Sequence, residues 1–299
     1  MEQTPLPPVP ATGPEVVPRA RRVSWTVKLT DTTEESGEAG LGERGALERD
    51  LARALERHEL AVHYQPIFDL RAGGISGLEA LVRWCHPSRG LVLPSEFIPL
   101  AEETGQVLEL GRWVLERACR QAARWRAENP AWASLEIAVN LSGAQLRAPQ
   151  LVDEVGEAMR SAELDPSSLL VEITETALVR DTAMSAAALD GLRRLGVRIA
   201  MDDFGTGYSS LHYLNSFPVD TMKLAKVFVD EVGEAGGREP AMARAIVALA
   251  DAFELRLIAE GIERADQIPA LLELGCELGQ GNHLSPALES EQADALLSS

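Results

Sequence analysis

The stretch AVHYQPIFDLRAGGISGLEALVRW (residues 61–84) decides the expected topology, because it holds two apolar runs separated by only residues 71–74. The runs AVHYQPIFDL and ISGLEALVRW both predict strands. A link as short as RAGG joins only antiparallel neighbours, since parallel strands need a crossover of about a dozen residues or more. The sheet is therefore expected to open with an antiparallel hairpin.

Beyond this hairpin, apolar runs alternate with segments of helical periodicity. Strands are expected near 135–141, 168–173, 197–203, 219–225, 255–260 and 276–280, and helices near 95–128, 149–162, 182–195, 208–216, 239–253, 264–274 and 289–297. Such alternation is typical of parallel strands joined by right-handed crossovers. Together with the hairpin, it predicts an α/β fold, a TIM-like (β/α)8 barrel with an antiparallel first strand. An open doubly wound sheet is the alternative, but the chain has no GxGxxG or GxxxxGK[ST] phosphate loop.

The first 45 residues differ in composition from the rest. They are Pro-rich, then basic (RARR, 19–22), then acidic (DTTEESGEAGLGE, 31–43). Their apolar residues do not recur at the spacing that would bury one face of a helix or strand. This predicts a flexible Pro-rich and acidic leader over 1–45 and one folded domain over 46–299. The RARR run is better explained as solvated charge than as an interaction patch.

The net charge, the apolar stretches and the cysteines of the chain limit which partners and which compartment are expected. The net charge of −18 disfavours nucleic-acid polymers and anionic membranes as partners, and no apolar stretch approaches the ~20 residues of a membrane span. A small anionic ligand is compatible with this negative charge if bound metal ions make the electrostatic potential at the site positive. Three widely spaced cysteines predict reduced thiols in a cytoplasmic protein, with one or two in the core.

The predicted strands share a second property, which is that they end in polar side chains. These are Glu79, Asn140, Glu172, Asp202, Asp203, Lys223, Glu260 and Gln280. One acid at a strand end is usually a helix cap or a surface ion pair, but the joint pattern indicates a site at the shared barrel end. Carboxylate and amide oxygens favour Mg²⁺ or Mn²⁺ over zinc. Two such ions would offset the crowded acids and suit in-line displacement at phosphorus.

Other side chains have expected places around that site. Arg83 shares the strand face of Glu79 by period two and offers a guanidinium for phosphate. Lys223 is expected to point into the pocket, where it would orient a nucleophilic water or stabilise phosphoryl charge. Glu175, three residues beyond Glu172, is expected in the loop that follows this strand, where it would support the ligand residues without contacting the metal.

The motifs along the chain resemble the EAL domain, the cyclic-di-GMP-specific phosphodiesterase module of bacteria. The resemblance covers about residues 46–288. It rests on YQPIFDL (64–70), EALVRW (79–84), PSEFIPLAEETG (94–105), VNLS (139–142), EITET (172–176), DDFGTGYSSL (202–211), AEGIE (259–263) and GCELGQG (275–281). DDFGTGYSSL alone is nearly diagnostic.

The resemblance implies hydrolysis of cyclic di-GMP to linear pGpG with two Mg²⁺ or Mn²⁺ ions per site. The residues that resemble metal ligands are Glu79, Asn140, Glu172, Asp202, Asp203 and Glu260. The catalytic set is Glu79, Lys223, Glu175 and Glu260, with Lys223 holding the catalytic water. The substrate-binding set is Arg83, Gln280, Gln65 and Leu81. Residues 205–217, the loop and helix after the fifth predicted strand, resemble the family's dimerisation element, which implies a homodimer. Glu175 resembles the glutamate that fixes this loop.

Two departures from the family pattern bear on activity. Ala225 stands where an aspartate usually follows the lysine by two residues, and Asn282, His283 and Leu284 replace an aromatic, apolar run. An active but slowed enzyme is therefore expected. The alternative is a catalytically impaired EAL domain that binds the nucleotide or a protein partner as a sensor. An unrelated metal-dependent TIM-barrel enzyme is a third and weaker alternative.

Overall fold

A computed structural model of the chain describes residues 38–179, 182–206, 214, 216–233 and 240–298. Residues 42–299 form one compact unit. Residues 1–37 of the predicted leader lie outside the described part of the chain. The first helix, α1 (Glu38–Ala54), begins upstream of the boundary expected near residue 46.

The sheet closes on itself through the predicted hairpin. The strands are β1 (Leu60–Asp69), β2 (Ile75–His86), β3 (Gly90–Val92), β4 (Glu136–Asn140), β5 (Leu169–Thr174), β6 (Arg198–Phe204), β7 (Thr221–Leu224), β8 (Arg256–Ala259) and β9 (Leu278–Gly279). Their order is β1-β9-β8-β7-β6-β5-β4-β2-β3, and β1 also pairs with β2. β1 is antiparallel to both neighbours, whereas β2 and β4 to β9 pair in parallel. The predicted eight-stranded barrel is confirmed, and β3 adds a short antiparallel strand outside it.

Helices follow the strands and cover the barrel. They are α2 (Pro94–Thr104), α3 (Val107–Glu128), α4 (Gly143–Leu146), α5 (Leu151–Ala162), α6 (Glu175–Val179), α7 (Thr182–Arg194), α8 (Lys226–Val229), α9 (Ala241–Ala252), α10 (Gln267–Leu274) and α11 (Ser290–Leu297). The prediction of a single helix over 95–128 is wrong, because two helices, α2 and α3, occupy this range. Gly105 ends α2 in the left-handed region (φ 78°), which a residue without a Cβ adopts at little cost. The helix expected at 208–216 lies mostly outside the described residues.

The main core lies between the outer face of the barrel and these helices. Trp84 of β2 and Phe97 of α2 are fully buried, and their rings meet edge to face at 5.7 Å. Burial of a side chain such as Phe97 stabilises the fold by about 1.5–3 kcal/mol. Two of the three free cysteines, Cys119 and Cys276, are buried, as the sequence suggested, while Cys85 is exposed. Among the described residues, no helix combines the length and the apolar character that a membrane crossing requires.

The barrel interior consists of three layers. The middle layer is a small apolar cluster of Ala138, Leu170 and Ala200, all fully buried and separate from the main core. Asn140, Glu172 and Asp202 follow these three residues by two positions and lie at the polar ends of the strands. We call these polar ends the upper ring: Glu79, Asn140, Glu172, Asp202, Asp203, Lys223, Glu260 and Gln280. Two residues before the middle layer lies the lower ring, defined as Glu136, Arg198 and Arg256. Side chains of both rings contact partners on non-adjacent strands, which is possible only through the barrel interior.

Candidate active site

Lys223 occupies the centre of the upper ring. Its side chain is fully buried, and its Nζ lies 2.6 Å from Glu260 Oε1 and 2.8 Å from Glu172 Oε2. Glu79 Oε2 and Asp202 Oδ1 are more distant from the same nitrogen, at 3.3 and 3.6 Å. The ammonium of Lys223 from β7 thus contacts carboxylates from β2, β5 and β6 and from the residue that follows β8.

Glu79 of β2 is fixed by two amides as well as by the lysine. Asn140 donates from Nδ2 to Glu79 Oε1 at 2.7 Å, and Gln280 donates from Nε2 to Glu79 Oε2 at 2.6 Å. The same Gln280 nitrogen lies 3.2 Å from Glu260 Oε1. Because both amides present nitrogen to Glu79, the carboxylate orientation is set before any ligand binds.

The charges of Lys223 and Glu172 depend strongly on each other. Burial lowers the pKa of Lys223, but the carboxylates around it, first Glu172 and then Glu260, outweigh burial and hold that pKa well above its usual value. Burial, with the nearby Glu79, raises the pKa of Glu172 well above its usual value despite the lysine. The lysine is therefore charged at neutral pH, and in the absence of metal its environment favours the protonated form of Glu172.

Glu79 and Glu260 respond to this environment in opposite directions. Burial favours the protonated form of Glu79, but Lys223 and the hydrogen bonds from Gln280 and Asn140 prevail and lower its pKa. For Glu260, burial prevails over Lys223 and raises the pKa to about 8. Two carboxylates of one ring thus have pKa values pushed apart, as is common in sites that handle protons or metals.

A bulge in β6 places two consecutive acids at the same site. The pairing of β6 with β7 is irregular between Met201 and Phe204, and Asp203 has a left-handed φ of 52°. In a regular strand, consecutive side chains point to opposite faces, so the bulge is what re-aims Asp203. One oxygen from each of Asp202, Asp203 and Glu260 lies within 4.8 Å of the others. Burial and the adjacent Asp202 raise the pKa of Asp203.

The donor set of the upper ring fits hard divalent cations. Oxygen dominates, and no histidine or cysteine belongs to it, which favours Mg²⁺ or Mn²⁺ over zinc. Glu172 Oε1 is buried and has no hydrogen-bond partner, so it is an acceptor without a donor. Five carboxylates against one ammonium give a formal charge of −4, which two divalent ions would offset. The residues present therefore fit a two-metal site.

A cavity of about 820 Å³ opens beside Glu79 and Asn140. Leu81 lines it, together with apolar side chains of α2 and α3 such as Ile98 and Val114. Arg147, just after α4, also lines the cavity, and its Nη1 is buried without a partner. Of these residues, Leu81 was predicted from the sequence as a substrate contact, whereas Ile98, Val114 and Arg147 were not. The motifs PSEFIPLAEETG and VNLS contribute residues to the cavity lining and are the sequence signal that could have identified it.

The remaining predicted residues lie around the ring rather than in it. Arg83 is half-buried and donates to the carbonyl of Val82 at 2.9 Å. Burial lowers its pKa, and the charge of Glu79 opposes that shift. Gln65 of β1 lies opposite Glu79 in the strand register. Glu175 is buried, but it begins α6 directly after β5, so the loop position predicted for it is wrong.

The two departures from the expected pattern also have defined positions. Ala225 is buried directly after β7, where it precedes the first turn of α8, and its methyl group brings no charge to the site. Asn282 and His283 are exposed and Leu284 is half-buried. Of the predicted dimerisation element, 205–217, most residues lie outside the described part of the chain.

Comparison with known proteins settles the family. A sequence profile described as the EAL domain matches residues 48–287, most of the chain. The chain belongs to the EAL domain family. The resemblance noted from its motifs is therefore confirmed.

Two curated relatives of this EAL domain come from Pseudomonas aeruginosa. The bifunctional diguanylate cyclase/cyclic di-GMP phosphodiesterase MucR is 42% identical over 259 residues, which are 87% of this chain and 37% of the relative. The cyclic di-GMP phosphodiesterase NbdA is 42% identical over 235 residues, which are 79% of this chain and 30% of the relative. The EAL domain described here thus spans about a third of the length of these relatives.

A solved structure agrees with this fold. The PaMucR phosphodiesterase in complex with c-di-GMP has a TM-score of 0.78 and 42% sequence identity. The alignment covers 83% of this chain and 99% of that one. The chain is therefore similar over nearly its whole barrel to a phosphodiesterase that binds the cyclic dinucleotide.

Proposed function

We propose that this EAL domain hydrolyses one phosphodiester of cyclic di-GMP to give linear pGpG, with two Mg²⁺ or Mn²⁺ ions in the upper ring. The observation that carries the proposal is the cluster of four carboxylates around the buried Lys223, with Asp203 beside Asp202 and with Glu172 Oε1 unpaired. The similarity to MucR and NbdA supports the substrate class.

The proposed ligands are those that the family resemblance implied: Glu79, Asn140, Glu172, Asp202, Asp203 and Glu260. Bound cations would lower the pKa of water and offset the negative charge of the phosphate oxygens. In the balanced reaction, a water oxygen bonds to phosphorus and the bond to the leaving ribose oxygen breaks. The leaving oxygen takes up a proton, and the products are a phosphate monoester and a free hydroxyl.

The chain's own side chains supply orientation and charge. Lys223 stays protonated at neutral pH and adds a fixed positive charge beside the reacting groups. The amides of Asn140 and Gln280 hold Glu79 in one orientation, so little reorganisation is needed when substrate arrives. Gln280 Oε1 is buried and unpaired, so it can accept a hydrogen bond from the ligand.

The cavity beside the ring supplies the space for a base. Its lining of Leu81, Ile98 and Val114 would bury a flat aromatic ring, while Arg83 would face the phosphate. Gln65 lies opposite Glu79 and completes the proposed substrate-binding set. Glu175 would act indirectly, by holding the start of α6 behind Glu172.

A second candidate function is a nucleotide sensor that no longer turns over. Ala225 favours it, because the family pattern places a carboxylate two residues after the lysine and this site has none there. The exposed Asn282 and His283 favour it as well, since they offer little apolar surface to a base. Homodimer formation through residues 205–217 and a cytoplasmic location stay predictions under both candidates.

The test is incubation of the chain with cyclic di-GMP and Mn²⁺, followed by chromatography for pGpG. The enzyme proposal expects pGpG with Mn²⁺ and none in the presence of a chelator. Retained binding of cyclic di-GMP without any pGpG would reject the enzyme and leave the sensor.

A further inference from the structure

The lower ring of the barrel is an ion triad that joins three non-adjacent strands. Glu136 of β4 is 4% exposed. Its Oε1 accepts from Arg256 Nη2 of β8 at 2.6 Å, and its Oε2 lies 2.8 Å from Arg198 Nη2 of β6. Arg198 Nε also donates to the carbonyl of Ser167 at 2.9 Å. One carboxylate therefore ties β4, β6 and β8 together across the barrel.

The same three strands carry metal-ligand candidates at their other ends. In each strand the upper-ring residue follows the lower-ring residue by four positions, and so lies on the same strand face. The pairs are Glu136 with Asn140, Arg198 with Asp202, and Arg256 with Glu260.

The middle layer above the triad is apolar, and its side chains offer these strands no hydrogen bond or ion pair. It contributes the methyl groups of Ala138 and Ala200 from β4 and β6, Leu170 from β5 and, two residues after Arg256, the fully buried Ile258 from β8. On the β2 side, Gly77 has no side chain, and a Cβ there would lie 3.0 Å from the carbonyl oxygen of Glu136. The triad is therefore the main polar contact across the lower half of the interior.

We propose that Glu136, with Arg198 and Arg256, forms a positioning network that sets the distance between the ligand-bearing ends of β4, β6 and β8. The proposal rests on the proposed function for the identity of the ligands, but it is measured by metal affinity rather than by turnover. Without Glu136, two guanidiniums would face each other in a half-buried space and repel. That repulsion would separate β6 from β8, and with them Asp202 from Glu260.

The test is Mn²⁺ binding to the metal-free chain, measured by the electron paramagnetic resonance signal of free Mn²⁺. Glu136→Ala should weaken Mn²⁺ binding about 10-fold, in the range known for residues that orient metal ligands. Glu136→Gln keeps an acceptor of the same shape and should weaken Mn²⁺ binding less than Glu136→Ala does. In the double variant Glu136→Ala/Arg198→Met, one of the two repelling cations is gone, so much of the affinity should return.

The matched control is Asp294→Ala in α11. Asp294 accepts from Trp125 Nε1 at 2.5 Å and pairs with Arg124, so it joins α11 to α3 outside the barrel. This variant should lower the melting temperature without changing the Mn²⁺ affinity. The proposal is overturned if Glu136→Ala behaves in the same way as this control.

The remaining outcomes show whether a failure belongs to the positioning network, to the proposed function or to both. If Glu136→Ala does not fold, an unchanged Mn²⁺ affinity of Glu136→Gln overturns the positioning network. A parent chain that binds no Mn²⁺ overturns the network and the proposed function together. A parent chain that binds Mn²⁺, loses affinity in Glu136→Ala and yet makes no pGpG overturns only the proposed function.

Discussion

The two polar rings of the barrel interior share strands β4, β6 and β8 but differ in charge balance. In the lower ring, both oxygens of Glu136 are paired with Arg198 and Arg256, so its charge is compensated within the protein. In the upper ring, five carboxylates share one cation, and four of them lie within 3.6 Å of Lys223 Nζ. Buried charge costs much free energy unless it is paired. This contrast supports the proposals that the lower ring holds strands in place and that the upper ring binds cations from outside the chain.

The largest expected effect follows from removing a central carboxylate of the upper ring. Glu79→Ala removes the acceptor of Asn140, Gln280 and Lys223, and should reduce pGpG formation by more than about 100-fold, since partners of ligands alone are worth about 10–100-fold. Chromatography of the products measures this. Asp294→Ala serves as the control, and a Glu79→Ala variant that keeps its activity would mean that the site lies elsewhere.

The next prediction compares two variants, each of which removes one cation, from the upper ring and from the lower ring respectively. Lys223→Met leaves the buried carboxylates without their cation and should destabilise the metal-free chain by about 3 kcal/mol, which lowers the melting temperature by about 10 °C. Arg198→Met should cost less, because Arg256 still contacts both oxygens of Glu136. Differential scanning calorimetry without metal measures both. Equal losses would contradict the contrast between the rings.

The metal-free upper ring should also make stability depend on pH. Burial raises the folded-state pKa of Glu260 to about 8, above its usual value near 4.5, so the folded chain binds a proton that the unfolded chain has lost. The corresponding stability is complete below about pH 4.5 and is lost as pH rises through about 8. The melting temperature of the metal-free chain should therefore fall between pH 5 and pH 8. With saturating Mn²⁺ this fall should be smaller, and an equal fall would contradict the role given to cations.

The smallest expected effect comes from adding a carboxylate beside the upper ring. Ala225→Asp restores the acid that the family pattern places after Lys223 and adds a side chain suited to cap α8. Turnover of cyclic di-GMP should rise severalfold at saturating Mn²⁺. An unchanged rate would show that Ala225 does not limit the chemistry.

The sequence predicts much of the barrel, because its signals are local. The four-residue link at 71–74 forces the antiparallel hairpin, and the strand ends identify the polar residues of the upper ring. Strand periodicity could not place Asp203, since a regular strand would turn it away from Asp202 and only the bulge brings the two acids together. The break of the helix predicted over 95–128 was visible in Gly105, but helical periodicity on both sides concealed it.

The lower ring could not be predicted from the sequence, for a different reason. Glu136 and Arg256 are 120 residues apart, and each alone looks like an ordinary charged residue at the start of a strand. Their contact depends on the barrel closing, which brings β4 and β8 to face each other across the interior. No local pattern encodes such a contact.

The most direct test of the account is the anomalous scattering of Mn²⁺ in crystals of the chain grown with this ion. A two-metal site predicts two peaks in the upper ring, ligated from among Glu79, Asn140, Glu172, Asp202, Asp203 and Glu260, and no peak at Glu136. Crystals with Mn²⁺ present but without a peak in the upper ring would contradict it.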